Sequence, residues 1–342
     1  MSLPISMKAI VFQKGENDPA NPAAHLLVTE KPVPAPQKGE VLVKMEASSC
    51  NPSDLLSMRG VYSVNAVQDQ IMGFEGCGRV IASNAGPLGM FLKGKRVSCA
   101  KQDGDGLWAE YACLPATNCI PVGDSFPAES AAAFVVNPMT SYAMMEEARK
   151  AGRKAVIQAA AASQVGRGII GLGKSMGIEV ISVVRRDAQM QGLNEIGATH
   201  VLNQNAETFG SDLAALCEKM RPETFFDPVG GLLTAKIQSN LPENAEVVVY
   251  GYLDESEAYG GRFSPRELIF KNHTIRNFWL KPYFEKLGLI GGLKASNAVI
   301  RLFKDGVFRT EVASWSDIED YPNAINAYVA NMTQGKALLK IS

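Results

Sequence analysis

Ser163 and Gly166 stand where an apolar run gives way to a helical pattern, and their chemistry suits a phosphate. The run Ala155-Val156-Ile157-Gln158-Ala159 leads into Ala160-Ala161-Ala162-Ser163-Gln164-Val165-Gly166. Small residues at such a turn let the backbone approach a pyrophosphate at a helix N-terminus. The spacing is not G-x-G-x-x-G but Ala160-x-x-Ser163-x-x-Gly166, with a hydroxyl at Ser163 to donate to a phosphate oxygen. An ordinary strand-turn-helix crossover would look the same, so both readings stand at this point. About 20 residues past the turn, an NAD site carries an acid for the ribose 2′-hydroxyl. Here the sequence has Val184-Arg185-Arg186-Asp187. Two guanidinium groups suit a 2′-phosphate, which favours NADP(H) over NAD(H). A solvated charge cluster, or Asp187 serving the ribose in a shifted register, are the other readings.

Metal chemistry has little to work with. The only histidines are His25, His200 and His273, at no ligand spacing, and none of the six cysteines (Cys50, Cys77, Cys99, Cys113, Cys119, Cys217) forms a C-x-x-C pair. No metal is expected, and free thiols point to a reducing cytoplasm. The start, Met1–Met7, lacks the basic and apolar stretches of a signal peptide. With 34 Lys+Arg against 35 Asp+Glu, nothing global asks for nucleic acid or an anionic membrane. Ser130–Met145, uncharged, is broken by Asn137-Pro138, which argues against a membrane span. A small-molecule substrate is the expected partner.

The 342 residues, 46% hydrophobic, predict about two domains with substantial cores. Val41–Ala47, Arg79–Ser83, Arg96–Ala100 and Ala109–Leu114 read as strands between Gly, Pro and Asn turns, hence a compact all-β unit. Ala128–Arg149 reads as a helix interrupted at Asn137-Pro138. Strands and helices then alternate: strands Lys154–Ala159, Glu179–Val184, Thr199–Leu202, Thr224–Asp227, Ala245–Gly251 and Thr274–Trp279, helices Val165–Met176, Ala188–Ile196, Phe209–Met220 and Gly231–Asn240. That order implies a doubly wound parallel sheet, so the fold class is α/β. The tail, with a helix over Ala295–Asp305, is too short for a domain and is expected to complete the first unit.

Further segments resemble the zinc-free medium-chain dehydrogenase/reductases, in their quinone reductase and 2-enoyl thioester reductase branch. They are Asn51-Pro52-Ser53-Asp54 with Arg59-Gly60-Val61-Tyr62, Gly73-Phe74-Glu75-Gly76-Cys77-Gly78-Arg79-Val80, Asn137-Pro138-Met139-Thr140-Ser141-Tyr142, and Leu268-Ile269-Phe270-Lys271 with Phe278-Trp279-Leu280. The resemblance implies a GroES-like mainly-β catalytic domain (1–127 and 284–342) with an inserted Rossmann domain (128–283). It places Asn51 and Phe74 where zinc enzymes carry Cys and His, and it leaves Glu75 as an internal carboxylate that pairs with backbone or a basic group. Gln164 departs from the glycine common at its position. Asp254–Arg262 departs too, as an acidic loop about three residues longer than usual.

By the same resemblance Tyr62 is the catalytic tyrosine, since a phenol can hydrogen-bond an enolate oxygen and supply a proton. Asn51 orients substrate or nicotinamide. NADPH contacts fall to Asn137, Thr140, Ala162, Ser163, Gln164, Val165, Gly166, Arg185, Arg186, Tyr250, Gly251, Phe278, Trp279, Leu280 and Lys336. Trp279 is a wall of the acceptor pocket or core packing; Lys336 reaches the cofactor or lies on the surface. The implied activity is NADPH-dependent reduction of an α,β-unsaturated carbonyl, a 2-enoyl thioester or an enone, without metal. Quinone reduction on the same scaffold and NADPH binding without turnover are the alternatives. A homodimer is implied, paired through an edge strand such as Thr274–Trp279.

Overall fold

The computed structural model describes residues 3–15, 18, 20–254 and 261–341, and the chain divides into two units, Met1–Asn137 with Arg309–Ser342, and Pro138–Phe308. The expected boundaries, 127/128 and 283/284, fall short of these by about ten and 25 residues. At the first crossing, the helix Ala128–Ala132 packs on strands of the first unit. At the second, Val307 and Phe308 still pack against the helix Gln164–Met176, at Gly171 and Gly168.

In chain order the first unit opens with β1 (Ser6–Phe12) and β2 (Leu26–Pro32), an antiparallel pair that the sequence pattern did not single out. β3 (Glu40–Ser49) follows, then α1 (Pro52–Met58), β4 (Glu75–Ser83), α2 (Gly86–Leu92), β5 (Arg96–Ala100), β6 (Tyr111–Pro115), β7 (Cys119–Pro121) and α3 (Ala128–Ala132). The chain then enters the second unit through α4 (Asn137–Lys150): Pro138 sits in the first turn, where its missing N–H costs nothing.

The second unit alternates β8 (Ala155–Gln158), α5 (Gln164–Met176), β9 (Glu179–Val184), α6 (Asp187–Glu195), β10 (His200–Asn203), α7 (Phe209–Met220), β11 (Thr224–Asp227), α8 (Gly231–Gln238), β12 (Glu246–Val249), α9 (Pro265–Phe270) and β13 (Thr274–Asn277). All five strand pairings are parallel, in the order β10-β9-β8-β11-β12-β13, the doubly wound order that reverses between β8 and β11. The central strands are buried on both faces, with Phe225, Phe226, Val247 and Val248 in the core beside the polar Gln158 and Ser182. α10 (Leu280–Lys304) closes the unit and is broken at Gly288, whose φ is 62°. Its early start corrects two expectations: the sixth strand ends at Asn277 rather than Trp279, and the helix expected over Ala295–Asp305 begins at Leu280.

β14 (Val312–Ser316), α11 (Tyr321–Ala330) and β15 (Lys336–Lys340) return to the first unit. β15 adds to β3 antiparallel, pairing Leu338 with Ser49, in a sheet ordered β14-β15-β3-β4-β5-β7 with β6 also on β3. This pairing brings Lys336 beside the end of β3. Among the described residues no helix is long and apolar enough to cross a membrane.

Candidate active site

In the first unit, β3 ends at Ser49 and α1 begins after Asn51. Asn51 and Asp54 form a capping box: the Asn51 N–H donates to Asp54 Oδ2 at 2.8 Å. The other oxygen, Oδ1, accepts from the Phe74 N–H at 2.9 Å, which ties α1 to the start of β4. Gly73, with φ 98°, is required there, because a Cβ would fall 2.2 Å from the Trp108 indole.

Behind this cap lies a buried polar cluster. Glu75 Oε1 accepts from Asn51 Nδ2 at 2.9 Å and from Ser49 Oγ at 2.7 Å; its Oε2 accepts from the N–H groups of Val135 and Val136 at 3.1 and 2.8 Å. Lys336 Nζ donates to Asn51 Oδ1 and, at 3.1 Å, to the Cys50 carbonyl, and lies 3.8 Å from Glu75 Oε1. Asn137 Nδ2 also donates to Asn51 Oδ1, at 3.2 Å. Lys336 is 2% exposed, and Asn51, Asp54 and Glu75 are fully buried. Burial pushes the Asp54 carboxyl up to about 7, with the Glu75 charge adding to the rise and the N–H bonds from Asn51 and Phe74 opposing it. Burial lowers the Lys336 ammonium, and Glu75 works against that. Burial holds the Cys50 thiol well above its ordinary value, so it is unreactive.

Of the two readings of Lys336, the surface one is removed, and Asn51, expected to orient substrate or nicotinamide, is fully buried. Glu75 pairs with backbone N–H groups and a cation, as its position in the sequence implied.

Tyr62 lies in the loop after α1, half-buried, its ring 5.8 Å from that of Phe74 and tilted by 32°. Gln102 Nε2 donates to the Tyr62 hydroxyl oxygen at 3.4 Å.

In the second unit the turn after β8 is tightly built. Ala160 takes φ 47°, the left-handed region a glycine would favour. Ser163 is the N-cap of α5, its Oγ accepting from the Gly166 N–H at 3.1 Å, which leaves its O–H to donate. A Cβ on residue 166 would sit 2.4 Å from the Ala161 carbonyl oxygen, so only glycine lets the helix close on the turn. Gln164 and Val165 open the helix, and Ala162 is buried beneath it. A helix N-terminus with a hydroxyl cap and no bulk at 166 fits a pyrophosphate. Arg185 and Arg186 are exposed just past β9. Asp187 is engaged by Asn203 Nδ2 at 2.8 Å and starts α6.

Tyr250 follows β12, its N–H bonded to the Asp227 carbonyl at 3.0 Å; burial raises its phenol, whose oxygen finds no hydrogen-bond partner among the described residues. Gly251 lies against Pro228. Phe278 is buried, its N–H on the Val249 carbonyl; Trp279 is the N-cap of α10, half-buried, and Leu280 is the first helical residue. Thr140 is buried in α4. Residues 255–260 of the acidic loop lie outside the described residues.

Three features escaped the pattern. Asp227 caps its own turn, Oδ1 accepting from the Val229 and Gly230 N–H groups and Oδ2 from Thr234 Oγ1; the signal was Asp227-Pro228-Val229-Gly230-Gly231 at a strand end. The capping spacing Asn51-x-x-Asp54 signalled the second. No local signal marked Gln102.

The family model described as the alcohol dehydrogenase GroES-like domain matches residues 37–124, and the one described as a zinc-binding dehydrogenase matches 165–287. A Mesorhizobium loti structure assigned as an NADPH:quinone reductase is 33% identical, covers 99% of this chain and 100% of its own, and superimposes with a TM-score of 0.90. The chain belongs to the medium-chain dehydrogenase/reductase superfamily. Within it, the chain falls in the enoyl reductase and quinone oxidoreductase branch and is an oxidoreductase. The mitochondrial enoyl-[acyl-carrier-protein] reductase of Bos taurus is 27% identical over 304 residues, 87% of this chain and 80% of that one. The quinone oxidoreductase of Thermus thermophilus, solved also with NADPH, has the same fold at 21% identity, with a TM-score of 0.78 over 98% of this chain and 100% of that one. The second model's description names zinc; the positions that resemble zinc ligands hold Asn51 and Phe74 here. Asn51 is bound to an ammonium, Phe74 is apolar, and no group of three or more His, Cys, Asp or Glu among the described residues could hold a metal.

Proposed function

We propose that this oxidoreductase uses NADPH to reduce the activated C=C of an α,β-unsaturated carbonyl, a 2-enoyl thioester or an enone. The observation that carries the reading is Tyr62: a half-buried phenol set beside Gln102 and Phe74, in a chain akin to enoyl reductases. The turn from Ala162 to Gly166 would hold the pyrophosphate, with the Ser163 hydroxyl on a phosphate oxygen. Arg185 and Arg186 would take the 2′-phosphate. Asn137, Thr140, Tyr250, Gly251 and Phe278–Leu280 would border the nicotinamide half.

The chemistry the bound cofactor supplies is a hydride to the β-carbon of the acceptor. Negative charge then gathers on the carbonyl oxygen. Tyr62 would meet that oxygen with its O–H and supply, directly or through water, the proton that ends on the α-carbon, with solvent restoring the phenol. No step calls on a metal ligand. Tyr62→Phe removes only the hydroxyl, so folding and NADPH affinity should stay as they are. Turnover on the best enone or thioester should fall roughly 10²–10³-fold. Near-normal turnover would make Tyr62 a packing residue.

The likeness to the Mesorhizobium loti protein favours a second reading, quinone reduction, in which solvent supplies the protons. Measuring NADPH consumption with crotonyl thioesters, enones and quinones separates the two; binding without consumption of any acceptor would leave a cofactor-binding protein. A homodimer goes with either reading. It is supported by the edge position of β13 in its sheet and by exposed Ile269, Phe270, Leu289 and Ile290 on the neighbouring helices. Six free thiols go with a reducing compartment such as the cytoplasm.

A further inference from the structure

We propose that Lys336 is a positioning residue: its buried ammonium fixes the amide of Asn51 and, through it, the amide of Asn137. The inference rests on the reading that Asn137 meets the cofactor.

An asparagine amide has two acceptor sites on oxygen and two donor hydrogens on nitrogen. In Asn51 the oxygen accepts from Lys336 Nζ and Asn137 Nδ2, and the nitrogen donates to Glu75 Oε1 at 2.9 Å, with Ser49 Oγ at 3.5 Å. An ammonium can only donate, and an ionised carboxylate can only accept. The opposite orientation of the amide would set NH₂ against an ammonium and oxygen against a carboxylate. Asn51 is therefore held in one orientation by two charges of opposite sign, drawn from β15 and β4. Being fully buried, it cannot itself touch a substrate.

Asn137 inherits that orientation. With its Nδ2 turned to Asn51, the opposite arm of the amide is Oδ1, an acceptor and not a donor. Glu75 secures the backbone as well, through the N–H groups of Val135 and Val136 immediately before it. One carboxylate thus fixes both the approach of the chain to Asn137 and the partner that orients its side chain. The other ionisable groups facing Lys336 are Cys50 and Asp54, at the start of α1. A cation at this point does for an amide what a metal does for its ligands elsewhere: it selects one arrangement in a dry interior.

The test is NADPH affinity, read from the fluorescence of the bound nucleotide in the full chain. Lys336→Met alone strands the Glu75 charge and could unfold the chain. The pair Lys336→Met with Glu75→Gln removes both charges at nearly constant volume, and Asn51→Ala cuts the relay while both charges remain. Each should weaken NADPH about tenfold, equivalent to about 1.4 kcal/mol. Asn137→Ala should do the same. Adding Asn137→Ala to either should weaken binding no further, because all act through one contact. If Asn51→Ala or the neutral pair binds NADPH like the unaltered chain, or if losses multiply to about a hundredfold, Lys336 does not position Asn137. If the unaltered chain fails to bind NADPH, the cofactor reading itself falls, and this inference with it.

Discussion

The polar cluster of the first unit and the nucleotide turn of the second solve opposite problems. Around Asn51 every charge is buried and needs a partner: Glu75 has four hydrogen-bond donors, and Lys336 has two acceptors and an opposing charge. Around Ser163 the protein withholds bulk, and Arg185 and Arg186 are exposed. The first arrangement is rigid and intolerant, because a buried charge that loses its partner keeps its desolvation cost. The second tolerates change in the fold but not in the ligand. Loss of a partner is therefore costly in the first region, and in the proposed reading cofactor discrimination falls to the second.

The largest effect that could break this contrast is on stability. Lys336→Met should cost about 3–5 kcal/mol in denaturant unfolding, and adding Glu75→Gln should recover most of it. Arg185→Ala with Arg186→Ala should leave unfolding unchanged within about 0.5 kcal/mol. A comparable loss in both would mean that the arginines are structural.

The same double arginine variant should weaken NADPH binding at least about tenfold and leave NADH nearly unaffected, since each charge-assisted phosphate contact is worth about 1.5–3 kcal/mol. Equal losses for both nucleotides would end the 2′-phosphate assignment.

Asp54 sharpens the contrast through pH. Its folded value of about 7 exceeds its ordinary 3.8, so between those values the folded chain keeps a proton that the unfolded chain has released. The contribution of this group to stability is full below about pH 4 and is lost as the pH rises to about 7. An infrared titration should show one carboxyl ionising near pH 7 that disappears in Asp54→Asn.

The smallest effect belongs to the turn. Ala160→Gly relieves a residue at φ 47° and should raise stability by about 0.5–1 kcal/mol, seen as a higher melting temperature. An unchanged or lower value would show that chain entropy offsets the relief.

Local order decided how much of this molecule was legible beforehand. Arg96–Ala100, Glu179–Val184, Phe209–Met220 and Thr224–Asp227 were read to the residue, because hydrophobic period and flanking turns are properties of short segments. The nucleotide turn and the arginines are equally local, all within 27 residues of the chain from Ala160 to Arg186. The helix over 280–304 was cut short because Gly288 interrupts its period, and the domain boundary moved with it. The buried cluster is different in kind. Lys336 and Cys50 are separated by 286 positions and meet only because β15 pairs with β3. Nothing around Lys336 in the chain announces burial, since the energy that holds a lysine inside comes from Glu75, Asn51 and the Cys50 carbonyl on other elements. Sequence sufficed wherever an element depends on neighbours in the chain. Where a residue's role depends on which charges share a dry interior, only the packed fold could assign it, because desolvation and pairing energies exist only once distant segments have met.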